Sequence, residues 1–312
     1  MNTVTYGTAA APYLATRAIV QLAKDEQDKF PAASDAVLKS FYIDDVLDGA
    51  DTLQNAQQLQ RDLVALLARG GFELHKWCAN NITLLEDIPA HAHEKQLKFD
   101  ESGVIKTLGI LWDPTADAFM FRVKPVDENT SKPTKRLVLS ETAKLFDPLG
   151  FLAPTVIIAK MIMQRLWSEK TNWDDPLPAD QLHSWMRLRS ELCSISSFKI
   201  DRRLTADDVV TQELHGFADA SMLAYGCCIY LRSVTMDGSV KVCLICAKSK
   251  VAPMKEQKRV ENLGAEIEEI TIPRLELCAA LLLAEQMKNV REALAFDTEK
   301  VVLRAVSKIV LC

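Results

Sequence analysis

No stretch of this sequence is apolar for long enough to cross a membrane. Its longest apolar runs, TVIIAKMIM and LCAALLLA, are interrupted or well short of the roughly 20 residues a hydrocarbon core requires. The N-terminus lacks the basic start of a secretory signal. Up to Asp25 it carries Arg17 and no acid, which leaves open a transit peptide or an ordinary amphipathic helix from Pro12 to Lys24. Cysteine is too sparse for a disulfide scaffold, with eight in 312 residues and several inside apolar runs. A reducing intracellular setting, cytoplasmic or nuclear, is the simpler reading. A net positive charge is lacking as well. The formal net charge is −5, so any contact with nucleic acid has to come from a local groove rather than a global field. There is no internal repeat. Asp-Thr-Gly and Asp-Ser-Gly are also missing, and Asp237-Gly238 has no hydroxyl residue between its members, so aspartic protease chemistry has no support.

What is present is the balance of a folded protein, 48% hydrophobic and 25% charged, at a length that suits about two domains. Pro12 opens a helix-periodic run. Leu38 to Ile43 and Val46 to Leu47 suit two short strands joined by a tight turn that carries Asp44 and Asp45. Thr52 to Ala68 reads as a helix stopped by Gly70-Gly71. Phe72 to Trp77 and Ile105 to Trp112 read as strands. The Pro- and charge-rich stretch VKPVDENTSKPTKR marks a boundary. Ser140 to Trp167 reads as helix broken at Asp147-Pro148-Leu149-Gly150 and again at Pro154. The chain loosens from Trp173 to Pro178, and Ala179 to Leu192 is helical again. The last third alternates: strands at Leu214 to Ala218, Tyr225 to Leu231 and Val240 to Ala247, a charged stretch from Lys255 to Glu269, a helix from Pro273 to about Leu294, and a strand at Val301 to Val306. That order implies a mixed α/β domain. Cys243 and Cys246 form a C-x2-C, but in a regular strand residues three apart point to opposite faces, so buried strand thiols are favoured over zinc or redox chemistry.

Adjacent carboxylates on a turn repel one another unless something neutralises them, and Mg²⁺ prefers carboxylate and phosphate oxygens. Here the flanks matter. Phe41-Tyr42-Ile43-Asp44-Asp45 resembles the Tyr-x-Asp-Asp hairpin of reverse transcriptases, and the longer FYIDDVLDGADT resembles the Pao/Bel group of retrotransposon polyproteins. The resemblance runs along most of the chain. Gly7 through Pro12 is similar to the segment that seats template and incoming nucleotide. Gly71-Phe72-Glu73-Leu74-His75-Lys76-Trp77 is similar to the next polymerase motif, with Lys76 near the incoming phosphates. Leu108-Gly109-Ile110-Leu111-Trp112 is similar to the primer-gripping strand. The block from Leu139 to Pro154, with LFDPLGFLAP, is the most group-specific, in the region often labelled Pao retrotransposon peptidase.

The last third resembles ribonuclease H. Phe217-Ala218-Asp219-Ala220-Ser221 places Asp219 at the end of a first strand, and Ile272-Pro273-Arg274-Leu275-Glu276 places Glu276 in the first turn of a long helix. By resemblance Asp44, Asp45, Asp219 and Glu276 are the catalytic and metal-holding residues, with Mg²⁺ as cofactor. Tyr42, Gly7, Pro12, Lys76 and Gly109 contact nucleic acid.

The resemblance implies an α/β fold in three parts. Residues 1–125 form the C-terminal part of a reverse transcriptase palm (α+β), 126–205 a mostly helical connection, and 206–312 a truncated ribonuclease H-like mixed sheet with a helix. It also implies RNA-directed DNA polymerase and ribonuclease H chemistry by two-metal phosphoryl transfer. Expected partners are a primer–template or RNA–DNA hybrid and further polyprotein segments, with no membrane. Two departures argue against activity of this chain alone. The sequence starts only a few residues before the Gly-Pro segment, so an upstream Asp-bearing strand is expected to be missing. Val306 also stands where ribonuclease H has a third carboxylate. The alternative is a non-enzymatic, domesticated or degenerate reading frame that acts as a scaffold or weak nucleic-acid binder.

Overall fold

Proline is tolerated in a first helical turn, where its missing N–H has no partner to lose. Pro12 and Pro31 both stand there in the computed structural model, opening α1 (Ala11–Asp25) and α2 (Pro31–Ser40). The structure describes residues 7–94, 105–107, 109–123, 132–254, 271–294 and 298–305. Val306 and the charged stretch 255–269 lie outside the described residues. The chain separates into two compact units, residues 1–108 with 112–117 and residues 109–111 with 118–312.

In the first unit α2 runs on through Leu38 to Ser40, where strand was expected. Ala33, Ala36 and Val37 recur at helical spacing and are buried with Ile19 and Ala23 of α1, so tertiary burial overrides the local β reading. Strands β1 (Phe41–Tyr42) and β2 (Asp45–Val46) follow, then α3 (Leu53–Arg69). Thr52 caps α3 by accepting the Asn55 N–H at 3.2 Å. Its end is a Schellman motif: Phe72 N–H bonds Leu67 O and Gly71 N–H bonds Ala68 O, both at 3.0 Å, with Gly71 at φ +73°. Leu63, Leu66 and Leu67 of α3 complete this core.

The expected strand from Phe72 to Trp77 does not form. Lys76 adopts φ +58° and turns the chain, which leaves a single parallel bridge from Trp77 to His93. Two short 3-10 turns, Ile82–Leu85 and Ala90–Ala92, lie between those residues. Strands β3 (Ile105–Thr107) and β4 (Ile110–Asp113) occupy the region expected to be one strand, divided near Gly109 at φ +85°.

In the second unit β5 (Ala118–Met120) precedes α4 (Lys135–Ala143), α5 (Ala153–Ser168) and α6 (Ala179–Leu192). The fully buried Val138, Leu166 and Trp185 centre their shared core. Pro154 sits in the first turn of α5 instead of breaking a helix, and the true break is the turn before it. In that turn the Asp147 carboxylate accepts the Phe151 N–H at 2.9 Å and the Leu152 N–H at 2.7 Å. Burial pushes its carboxyl up from the ordinary range, and bonds from Leu152, Phe151 and Gly150 oppose the rise. Gly150, at φ +76°, meets the backbone of a later strand so closely that a Cβ would fall 1.7 Å from Ala247 O. The LFDPLGFLAP block is therefore a docking turn. Strand β6 (Lys199–Asp201), not expected from the sequence, pairs antiparallel with β5.

Three long strands complete this unit with a helix and a last strand: β7 (Val209–Ala220), β8 (Ala224–Thr235), β9 (Val240–Val251), α7 (Ile272–Ala293) and β10 (Lys300–Ala305). Their sheet has the order β10-β7-β8-β9, with β10 parallel to β7 and the other pairs antiparallel. Ala279, Leu282, Leu283 and Met287 recur at helical spacing on α7 and bury against Leu214, Ala218, Ile229 and Leu231. The sheet also corrects the cysteine reading. Ile229 pairs with Cys246 and Leu231 with Cys243, and the register shifts in between. Because residues 229 and 231 share a face, this bulge brings both cysteines to one face. Burial raises both thiols' pKa values, which disfavours the reactive thiolate.

Candidate functional site

The Tyr-x-Asp-Asp segment folds as a minimal hairpin. Phe41 pairs with Val46 and Tyr42 with Asp45, and Ile43-Asp44 form the loop. Only the first loop residue has a positive φ, +58° at Ile43, a position that normally takes glycine. A β-branched residue there is strained by about 1–2 kcal/mol. Tyr42 and Ile43 are each 61% exposed. Asp44 is exposed and Asp45 half-buried, so the turn residues are 43 and 44, and Asp45 opens the second strand. Burial raises the Cys78 thiol's pKa, and the charges of Glu94 and Asp45 raise it further, which puts Asp45 within electrostatic reach of the Cys78–His93 excursion.

Lys76 is exposed, two residues before Cys78, and among the described residues neither Asp44 nor Asp45 is ion-paired with it. Gly7 is exposed at φ +80°, and Pro12 accepts the Thr16 hydroxyl at 3.0 Å. Gly109 is held as glycine by packing, since a Cβ would lie 2.7 Å from the Phe146 ring.

In the second unit Asp219 is exposed near the end of β7, opposite Gly226, and its carboxylate accepts the Ala220 N–H at 2.8 Å. Ala218 buries toward α7, so alternation aims Asp219 to the other side of the sheet. Glu276 lies in the first turns of α7, half-buried beside the buried Leu275. Parallel β10 sets Arg304 opposite Phe217 and Ala305 opposite Ala218. Among the described residues no group of three or more His, Cys, Asp or Glu gathers to hold a metal ion. A two-metal centre needs more ligands than one pair of carboxylates supplies, so the described residues do not fit it.

Several structurally decisive residues were not singled out from the sequence. Lys135 is buried, with its ammonium 5.1 Å from the ring centres of both Trp167 and Trp173 and bonded to Thr171 O at 3.2 Å. Glu213, His215, Arg232 and Arg304 form a network across three strands. The Asp147 cap had a local signal, an Asp-Pro-x-Gly turn before a helical run. The other two join residues distant in sequence and had none.

An antiparallel three-strand meander followed by a helix and a strand parallel to the first is the arrangement of ribonuclease H-like domains. A family model described as the Pao retrotransposon-like RNaseH-like domain matches residues 134–305. That is more than half of the chain, and the chain belongs to this family. The match takes in both the helical part and the sheet of the second unit. The chain is also similar to a foamy viral protease-reverse transcriptase dRH solved with double-stranded DNA, at 14% identity and TM-score 0.47, covering 96% of this chain and 43% of that one. A second foamy viral protease-reverse transcriptase, also solved with double-stranded DNA, is 17% identical at TM-score 0.22, covering 97% of this chain and 52% of that one. The chain thus spans about half the length of these solved proteins. No curated protein matches it. Among the described residues no helix is long and apolar enough to cross a membrane.

Proposed function

We propose that this chain is a segment of a retrotransposon polymerase and ribonuclease H protein that meets a primer–template or RNA–DNA hybrid and is catalytically incomplete by itself. On this reading residues 1–125 are palm, 126–205 connection and 206–312 ribonuclease H-like. Asp44 and Asp45 belong to the polymerase centre, with Tyr42, Gly7, Pro12, Lys76 and Gly109 around the nucleic acid, and Asp219 and Glu276 belong to the nuclease centre. The observation that carries the reading is Asp219, exposed at the end of a strand whose parallel neighbour β10 finishes beside it. A carboxylate so placed can meet a phosphate backbone without first being uncovered.

A second reading, a non-enzymatic scaffold or weak nucleic-acid binder, is favoured by the described residues' lack of a three-ligand group. One experiment tests the proposal. The purified chain and Asp219→Asn are assayed for Mg²⁺-dependent nicking and for binding of an RNA–DNA hybrid across a salt series. The proposal expects no nicking by either protein, and weak binding that falls steeply with salt as few phosphates are neutralised. Nicking by the unaltered chain that Asp219→Asn abolishes would overturn catalytic incompleteness. Absence of any binding at low salt would leave only the scaffold.

A further inference from the structure

Three strands place one imidazole between an acid and a base. On β7, Glu213, His215, Phe217 and Asp219 share the face turned away from α7, because Leu214 and Ala218 take the α7 side. Glu213 lies opposite Arg232 and Lys300, His215 opposite Tyr230 and Val302, and Phe217 opposite Cys228 and Arg304. The His215 side chain is only 15% exposed. Its Nε2 is 3.0 Å from Glu213 Oε2, and its Nδ1 is 2.8 Å from an Arg304 terminal nitrogen. Glu213 Oε2 also accepts from Arg232 at 3.2 Å. The Arg304 guanidinium sits 5.3 Å from the centre of the Phe217 ring, which meets Tyr230 edge-on at 6.0 Å.

A guanidinium can only donate, so Nδ1 of His215 must accept and carry no proton, and Nε2–H donates to Glu213. A second proton can then go only to Nδ1. There it meets the Arg304 N–H, donor against donor and cation against cation, at hydrogen-bond distance. The same proton strengthens the bond to Glu213. The titratable and charged groups facing His215 are Glu213 and Asp219 on its own strand, Arg232, Tyr230 and Cys228 on β8, and Lys300 and Arg304 on β10. Beyond them β9 presents Val242, Leu244 and Ala247. The hydrogen bond from His215 holds the Glu213 carboxyl below its ordinary range.

We propose that His215 is a proton-sensitive clasp for β10: neutral, it holds Arg304 across β7, and protonated, it releases Arg304 and loosens the end of β10 beside Asp219. This device depends on the sheet alone and stands whether or not the chain is catalytic.

The test is NMR of the full chain from pH 8 to pH 5, following the His215 ring nitrogens, the Arg304 side-chain N–H signals and hydrogen exchange of the Leu303 to Ala305 amides, corrected for intrinsic rates. As His215 takes its second proton, the Arg304 signals should move to solvent-exposed values and protection of these amides should fall about tenfold or more. In Arg304→Gln the step should vanish, because an amide can donate to the neutral ring or accept from the protonated one. In His215→Gln it should vanish for want of a titrating ring. Arg304 signals and β10 protection that ignore the His215 titration would overturn the proposal, as would the same step persisting in His215→Gln. The titration of the unaltered chain decides the matter even if neither variant folds.

Discussion

Asp44 and Asp45 hang on a hairpin of two residue pairs, Phe41 with Val46 and Tyr42 with Asp45, with a strained isoleucine at its tip. Asp219 ends a twelve-residue strand laddered to β8 along nearly its whole length and flanked by β10 on the other edge. Asp44 is exposed by making its support short, Asp219 by running it to the rim of a sheet with a helix-covered core. The difference teaches that the hairpin borrows its stability from α2 and from the core that Phe41 packs against, whereas the β7 sheet and α7 supply their own.

The sharpest way to break this comparison is to empty each support in turn. Leu231→Ala removes a fully buried side chain from beneath α7 and should cost about 2–5 kcal/mol. Val46→Ala trims a half-buried residue of the hairpin and should cost below about 1 kcal/mol. Urea unfolding of the two variants, with hydrogen exchange read segment by segment, tests the contrast, and equal losses would refute it. Next in size is the docking turn. Asp147→Ala deprives two backbone N–H groups of their acceptor and should cost about 1–2 kcal/mol in the same measurement.

Ile43→Gly should act in the opposite direction. Relief of the left-handed isoleucine is expected to stabilise the first unit by about 1 kcal/mol, read as a rise in thermal midpoint. A loss of stability would show that the exposed Ile43 side chain makes a contact worth more than the strain.

The smallest effects are pH slopes of opposite sign. Glu213 has a depressed pKa in the folded state, so its contribution is complete above the unfolded value and is lost as pH falls through the folded one. Asp147 has a raised pKa, so its ionisation penalty is complete above the folded value and disappears below the unfolded one, which makes acidification stabilising there. Glu213→Gln should therefore flatten the acid-side loss of stability and Asp147→Asn should deepen it. Denaturation midpoints between pH 3 and pH 7 measure both, and slopes of the same sign would refute the contrast.

Much of the architecture was readable one residue at a time. The α/β class, the helix at Ala179–Leu192, the long α7 and the three strands β7 to β9 follow from hydrophobic periods that each segment carries within itself. The Thr52 cap, the Gly70-Gly71 stop and the tight turn at Asp44 were legible for the same reason, since caps and two-residue loops are local chemistry. The readings that failed needed partners. Leu38 to Ser40 became helix because they continue α2, whose Ala33, Ala36 and Val37 are buried with α1 and α3, and Phe72 to Trp77 lost its strand to a left-handed Lys76 that no local rule announces.

The sequence by itself determined most of the helices and the long strands of the second unit, and that one acid stands in a tight turn and another near a strand end, because those properties depend on neighbours within a few positions. Only the tertiary structure decided what each strand face holds. A one-residue shift in the β8–β9 ladder brought Cys243 and Cys246 to one face, and the parallel docking of β10 carried Arg304 to His215, 89 positions away in the chain. Side-chain alternation has a period of two, so a register change of a single residue reverses every face downstream, and where a bulge falls or which distant strand docks shows only once the strands are paired.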